Sequence, residues 1–153
     1  MSRRHQIVMT DEEVDDLLAA SRTVTCATIG RDGRPHLMPL WYVPRRGTLW
    51  AWTYAKSQKV RNLERDPRCT LQVETGEEYG ELRGAMLECD AVIHRDLDTV
   101  AAIGAEIAAR YGGADLTPEL AAAMRAQAAK RVGLEFVERR RTSWDHRKLG
   151  GTY

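Results

Sequence analysis

Long apolar runs, paired cysteines and any excess of charge are missing from this 153-residue sequence, and each absence removes a class of function. No stretch approaches the roughly 20 apolar residues of a membrane-spanning helix. The N-terminal MSRRHQIVMTDEEV meets acidic residues before any apolar run long enough for a secretory signal. A soluble, cytoplasmic protein with no membrane partner is the expectation. With 23 Lys+Arg against 22 Asp+Glu the formal net charge is +1, so nothing calls for nucleic acid as a partner and any basic site must be local. The three cysteines, Cys26, Cys69 and Cys89, are an odd number without a CxxC pair. Each lies in an apolar strand-like stretch and reads as a buried free thiol in a reducing compartment. The histidines have neither HxxxH nor HxH spacing and no zinc-type Cys/His cluster, so no metal site is expected. No GxSxG frames a serine nucleophile, and no GxGxxG turn marks a dinucleotide fold.

What is present reads as one domain over residues 1–153, a length that supports a single core. Thr10 and Glu13 make a capping box for a helix over about 10–20. TVTCATIG alternates as a strand and RDGRP turns; HLMPLWYVP is a second strand and TLWAWTY a third, together a three-stranded meander. SQKVRNLER is a short helix, with Ser57 as N-cap, Val60 and Leu63 inward, and Asp66-Pro67 as the stop. CTLQVE and LRGAMLECDAVIHR add two strands. Two helices follow, one capped by Asp96 and ended by Gly112-Gly113, the other opened by Thr117-Pro118. RVGLEFVER is the last strand, and about 142–153 form a polar tail. Mainly β with added helices, the pattern predicts a six-stranded antiparallel barrel.

KSQKVRNLERDPR, with its aromatic neighbours, is what remains as a candidate for chemistry. A helix start exposes unpaired N–H groups and the positive end of the macrodipole, and Lys56 and Lys59 add charge where it opposes that dipole. Either this is a solvated first turn or it is a seat for an anion such as phosphate. Glu64 and Asp66 stand close in sequence and weigh against the seat. Trp41, Trp50 and Trp52 are open in the same way: barrel core, or the apolar wall for a planar cofactor.

ATIGRDGRPHLMPLWY, KSQKVRNLERDPR and RTSWDHRKLGG, in this order, resemble the pyridoxamine 5'-phosphate oxidase-like FMN-binding split β-barrel family, specifically its coenzyme F420-dependent oxidoreductase branch. The resemblance spans about Thr10 to Gly150. It implies a homodimer with two cofactor grooves between subunits. Lys56, Ser57, Gln58 and Lys59 would hold the cofactor phosphate, with Asn62 in the same Lys-x-x-Asn-Leu motif. His36, Leu37, Met38, Pro39 and Trp41, with Trp52 and Thr53, would line the deazaflavin ring. Trp144, His146 and Arg147 would approach across the dimer interface. The FMN-dependent members carry an arginine and a lysine on the second strand, whereas HLMPLWYVP has neither, which tilts the cofactor toward F420 over FMN. The implied activity is hydride transfer from reduced F420 to a small electron-poor organic acceptor of enone, quinone or tetrapyrrole type. The alternatives are a non-catalytic F420-, FMN- or haem-binding protein and an FMN-dependent oxidase.

Overall fold

The computed structural model describes residues 3–151. A four-residue helix α1 (Arg4–Ile7) precedes α2 (Asp11–Ala20). The Thr10 hydroxyl accepts from the Glu13 N–H at 3.2 Å, and the Glu13 carboxylate accepts from the Thr10 N–H at 2.7 Å. The capping box therefore forms as its residues predict, and Val14, Leu17 and Leu18 on the inner stripe are buried. Next come β1 (Val24–Ile29), β2 (Pro35–Leu40), β3 (Val43–Arg45), β4 (Thr48–Tyr54), α3 (Gln58–Arg65), β5 (Arg68–Thr75) and β6 (Arg83–His94). The chain ends with α4 (Leu97–Gly112), α5 (Pro118–Ala128), β7 (Arg131–Asp145) and a 3-10 turn, His146–Leu149.

The sheet has seven strands, not six, in the order β2-β1-β5-β6-β7-β4-β3. The expected second strand divides at Trp41-Tyr42, and the reason is local. The Tyr42 N–H donates to the Tyr111 hydroxyl at 3.0 Å, and the Tyr42 carbonyl accepts from Arg110 and Tyr111 at 2.5 and 2.9 Å. Side chains of α4 thus take the hydrogen bonds a ladder would use. Tyr42 is also fully buried, its hydroxyl donating to the Leu18 carbonyl. The expected meander is corrected too: β2 pairs with β1, whereas β4 pairs with β3 and β7. β2 and β3 are consecutive in the chain yet sit at opposite ends of the strand order. The span from Leu40 to Val43 is three links of about 3.8 Å. The sheet has to curl until its edges nearly meet, as a split barrel.

The expected last strand, RVGLEFVER, is longer and the expected tail correspondingly shorter. β7 continues through Asp145, paired with β6 up to Arg83↔Asp145, because the twelve-residue β6 offers a full-length antiparallel partner. The polar tail of about 142–153 is therefore strand to Asp145 and a 3-10 turn beyond it; its residues 152–153 lie outside the described residues. The core inside the curl joins Val24, Leu71, Val73, Leu87, Val132, Leu134 and Phe136 to Leu17 of α2 and Val60 and Leu63 of α3. Outside β4, Trp50 packs on Ile103 and Ile107 of α4. Gly104 sits so close to the Trp52 ring that a side chain there has no room. On the other flank the outward residues stay at the surface: Leu37 is 58% exposed, between exposed Pro35 and Pro39.

Candidate functional site

The turn from β4 into α3 builds a polar seam at one end of the curled sheet. Ser57 occupies the N-cap with extended backbone, as its spacing predicts, but its hydroxyl caps nothing. Its Oγ is buried and has no hydrogen-bond partner, and the same is true of Nδ1 of His36. A buried polar atom left unpaired costs about 1–3 kcal/mol, and the Ser57 Oγ bears that cost at the start of α3.

Lys59 is buried, 8% exposed, and its ammonium donates to the Thr53 hydroxyl at 3.0 Å. Burial pulls its pKa below the ordinary lysine value, partly offset by Cys26 nearby. The acidic neighbours are engaged elsewhere: Glu64 accepts from Arg95 at 2.5 Å, and Asp66 from Arg68 at 2.7 Å. Among the described residues, no carboxylate forms a salt bridge with Lys59. Asn62, fully buried, ties the seam together. Its Nδ2 donates to Thr28 Oγ1 at 3.0 Å, and its Oδ1 accepts from Gln58 and Arg65 at 2.8 and 3.1 Å. Thr28 is the cross-strand partner of His36, so these two share a face.

His36, Thr53, Ser57, Gln58, Lys59 and Asn62 are thus brought together, with exposed Lys56 at the rim. Thr28 and Arg65 belong with them and were missed. Arg65 has a sequence signal, three residues after Asn62 on one helix face, but Thr28 enters only through strand register. Of the other expected residues, Met38 stays on the His36 face and the rest lie elsewhere. Trp52 points away from Thr53, as successive strand residues must. It is packed under α4 and α5 with Arg131 over its ring at 4.4 Å, so Trp50 and Trp52 form no wall beside the helix start. Trp41, 57% exposed, stacks on Tyr111 at 4.3 Å. Met38 shares a face with Cys26, and Leu37 and Pro39 point outward.

Trp144, His146 and Arg147 sit at the far end of β7. Thr53 pairs with Val132 and Gly84 with Trp144, and those twelve residues correspond to roughly 40 Å of strand. His146 Nδ1 lies 2.9 Å from the Tyr79 carbonyl. Arg147 grips Asp145 through Nε and Nη2 at 2.8 and 2.6 Å. That guanidinium holds the buried Asp145 carboxyl below the usual carboxylate range. With a folded pKa below the unfolded one, the pair's stabilisation is present above the unfolded value and is lost as pH falls through the folded one. Asp145→Asn is therefore expected to lower the melting temperature at neutral pH and to converge with the unchanged protein in acid; a constant gap across that range would refute the linkage.

No cluster of three His, Cys, Asp or Glu capable of holding a metal occurs among the described residues, and no helix there is long and apolar enough to cross a membrane. No curated protein matches the chain in sequence. Conserved hypothetical protein Rv2991 from Mycobacterium tuberculosis superposes with a TM-score of 0.91 at 42% identity, over 100% of this chain and 95% of that one. An F420 reductase superposes at 0.67 and 22% identity, over 86% and 98% of the two chains. The haem-storage protein HutZ from Vibrio cholerae does so at 0.66 and 16%, over 85% and 90%. The last two share the fold. The pyridoxamine 5'-phosphate oxidase family model matches residues 10–143, from the α2 cap almost to the end of β7. On that span the chain belongs to the pyridoxamine 5'-phosphate oxidase family.

Proposed function

We propose that the protein binds coenzyme F420 with its phosphate at the start of α3 and is an F420-dependent oxidoreductase acting on a small electron-poor organic acceptor. The observation that carries this is Lys59: a buried ammonium facing a neutral threonine hydroxyl, beside the unpaired Ser57 Oγ. A buried cation without a counter-charge is costly, and a phosphate at a helix start supplies that charge where the N–H groups also point. Lys59, Ser57 and the first N–H groups of α3 would hold the phosphate, with Asn62 and Gln58 keeping the helix start in place. When bound, the reduced deazaflavin supplies the hydride. The protein's part is orientation, with acceptor and cofactor held face to face.

The absence of arginine or lysine from Pro35–Leu40 favours F420 over FMN. The F420 reductase among the structural neighbours agrees with this reading. Completing the groove calls for a second copy, because this chain's own Trp144, His146 and Arg147 stand at the wrong end of β7. A homodimer through the outer face around Leu37 would bring the partner's tail within reach. Storage of a cofactor without turnover is the second reading, favoured by the likeness to a haem-storage protein.

Fluorescence titration with F420 and FMN, followed by anaerobic mixing of the F420-loaded protein with enones, quinones and a tetrapyrrole, tests both. F420 is expected to bind more tightly than FMN, and the reduced form to be consumed only with protein and acceptor together. Tighter FMN binding would refute the cofactor assignment, and binding without turnover across the whole panel would leave the storage reading.

A further inference from the structure

A cavity of about 270 Å³ opens between α2 and the β3–β4 turn, and its floor is Leu18, Leu49, Leu71, Leu87, Cys89 and Phe136. All six are buried. Thr48 and Leu49, at its edge, stand at the start of β4 and Thr53 near its end, so the cavity lies roughly 15 Å along the strand from the Lys59 seam. Cofactor binding does not use it. A β-bulge at Glu88/Cys89 gives this apolar floor a charged rim. Residues three apart on a regular strand face opposite sides, but Glu138 pairs with inward Cys89 and Arg141 with inward Leu87, so the bulge turns both into the barrel. Arg141 donates to Glu138 through Nε and Nη2 at 2.6 and 2.9 Å, and through Nη1 to Asp11 and Asp15 of α2 at 3.3 and 3.2 Å. One guanidinium thus faces three carboxylates. The neighbouring cations are engaged outside: Arg139 is held by Asp90, and Arg140 lies opposite Glu88 on the outer face.

We propose that this cavity binds a small primary amine carrying one aromatic ring, with the ring on the leucine floor and the ammonium at the rim between Asp15 and Glu138. Size and charge both point to this class. An apolar cavity of about 150 Å³ is enough to hold benzene, so this one admits a ring with a short alkyl arm. The ring meets Phe136 and the Cys89 thiol, and aromatic and sulfur groups both pack well against it. At the rim, the Arg141 donors are already taken up by carboxylates. A ligand carboxylate would therefore meet an excess of negative charge, whereas an ammonium supplies the missing positive charge and three donors.

The test titrates phenethylamine at neutral pH into the full-length protein with isotope-labelled leucine methyls, read by NMR. Saturable shifts of the Leu18, Leu49, Leu71 and Leu87 methyls are expected. The affinity is expected to exceed by about tenfold those of phenylethanol and phenylpropionate, which carry the same ring on a neutral and an anionic arm. Ala19→Phe, at an exposed position on the cavity wall, is expected to abolish the shifts, and Asp15→Asn to weaken binding about threefold. Equal or tighter binding of either analogue, shifts confined to other residues, no saturation, or undiminished binding in either variant would each overturn the proposal. The titration involves no cofactor, so it stands or falls independently of F420 binding.

Discussion

Lys59→Met is expected to weaken F420 binding by about 10- to 100-fold while leaving the unliganded fold as stable as before, or more so. The loss corresponds to one charge-assisted hydrogen bond of about 1.5–3 kcal/mol. The two signs differ because the ammonium serves the ligand and not the fold. It lies buried with one neutral acceptor, and an apolar chain of similar length fills the same space without the desolvation cost. Protonation gives an independent check. Burial lowers the folded pKa of Lys59, so between that value and the ordinary lysine range the unfolded chain binds more protons. Stability of the unliganded protein is then expected to rise with pH across that window, and the methionine variant to lack this component. Calorimetry and fluorescence titration measure both. Unchanged binding, or a clearly destabilised variant, would refute the anion seat.

In the homodimer proposed above, Leu37→Asp is expected to leave the protomer folded and to separate the two copies into monomers. Leu37 is 58% exposed, where a substitution changes the protomer's own stability by only about 0.5 kcal/mol. A single exposed leucine means little, but this one is flanked by exposed Pro35 and Pro39 and lies opposite half-buried Ala27. A charge at the centre of an interface costs at least about 2 kcal/mol, or roughly a 30-fold weaker dimer. Cofactor affinity should fall with it, since the proposed groove is completed by the far end of β7 from the second copy. Light scattering coupled to gel filtration reads the mass; a variant that stays dimeric at low micromolar concentration would show that the interface lies elsewhere.

The legible parts of this fold are those set by nearby residues. The Thr10–Glu13 box, the Asp96 and Thr117 caps and the Gly113 stop at φ 67° are all satisfied within a few residues of themselves. The position of α3, and its Ser57 start, were legible for the same reason. The division at Trp41-Tyr42 was not. HLMPLWYVP has the composition of one strand, and only Arg110 and Tyr111, about seventy residues away, take over the hydrogen bonds of Tyr42. Trp52 shows the limit of periodicity: alternation says that Trp52 and Thr53 face opposite ways, but not which faces the seam. That depends on α4 covering one side of β4, with Gly104 admitting the ring.

By itself the sequence determined the type and ends of most elements, the buried thiols and the basic helix start, because capping, turn chemistry and hydrophobic alternation act over a few residues. Only the tertiary structure decided that Lys59 turns inward to Thr53, that Asn62 reaches Thr28, and that the C-terminal residues lie at the far end of β7 from the seam. Each of these depends on cross-strand register and on a sheet curled closed at two residues, and such long-range geometry is fixed by packing between segments that carry no local mark of one another.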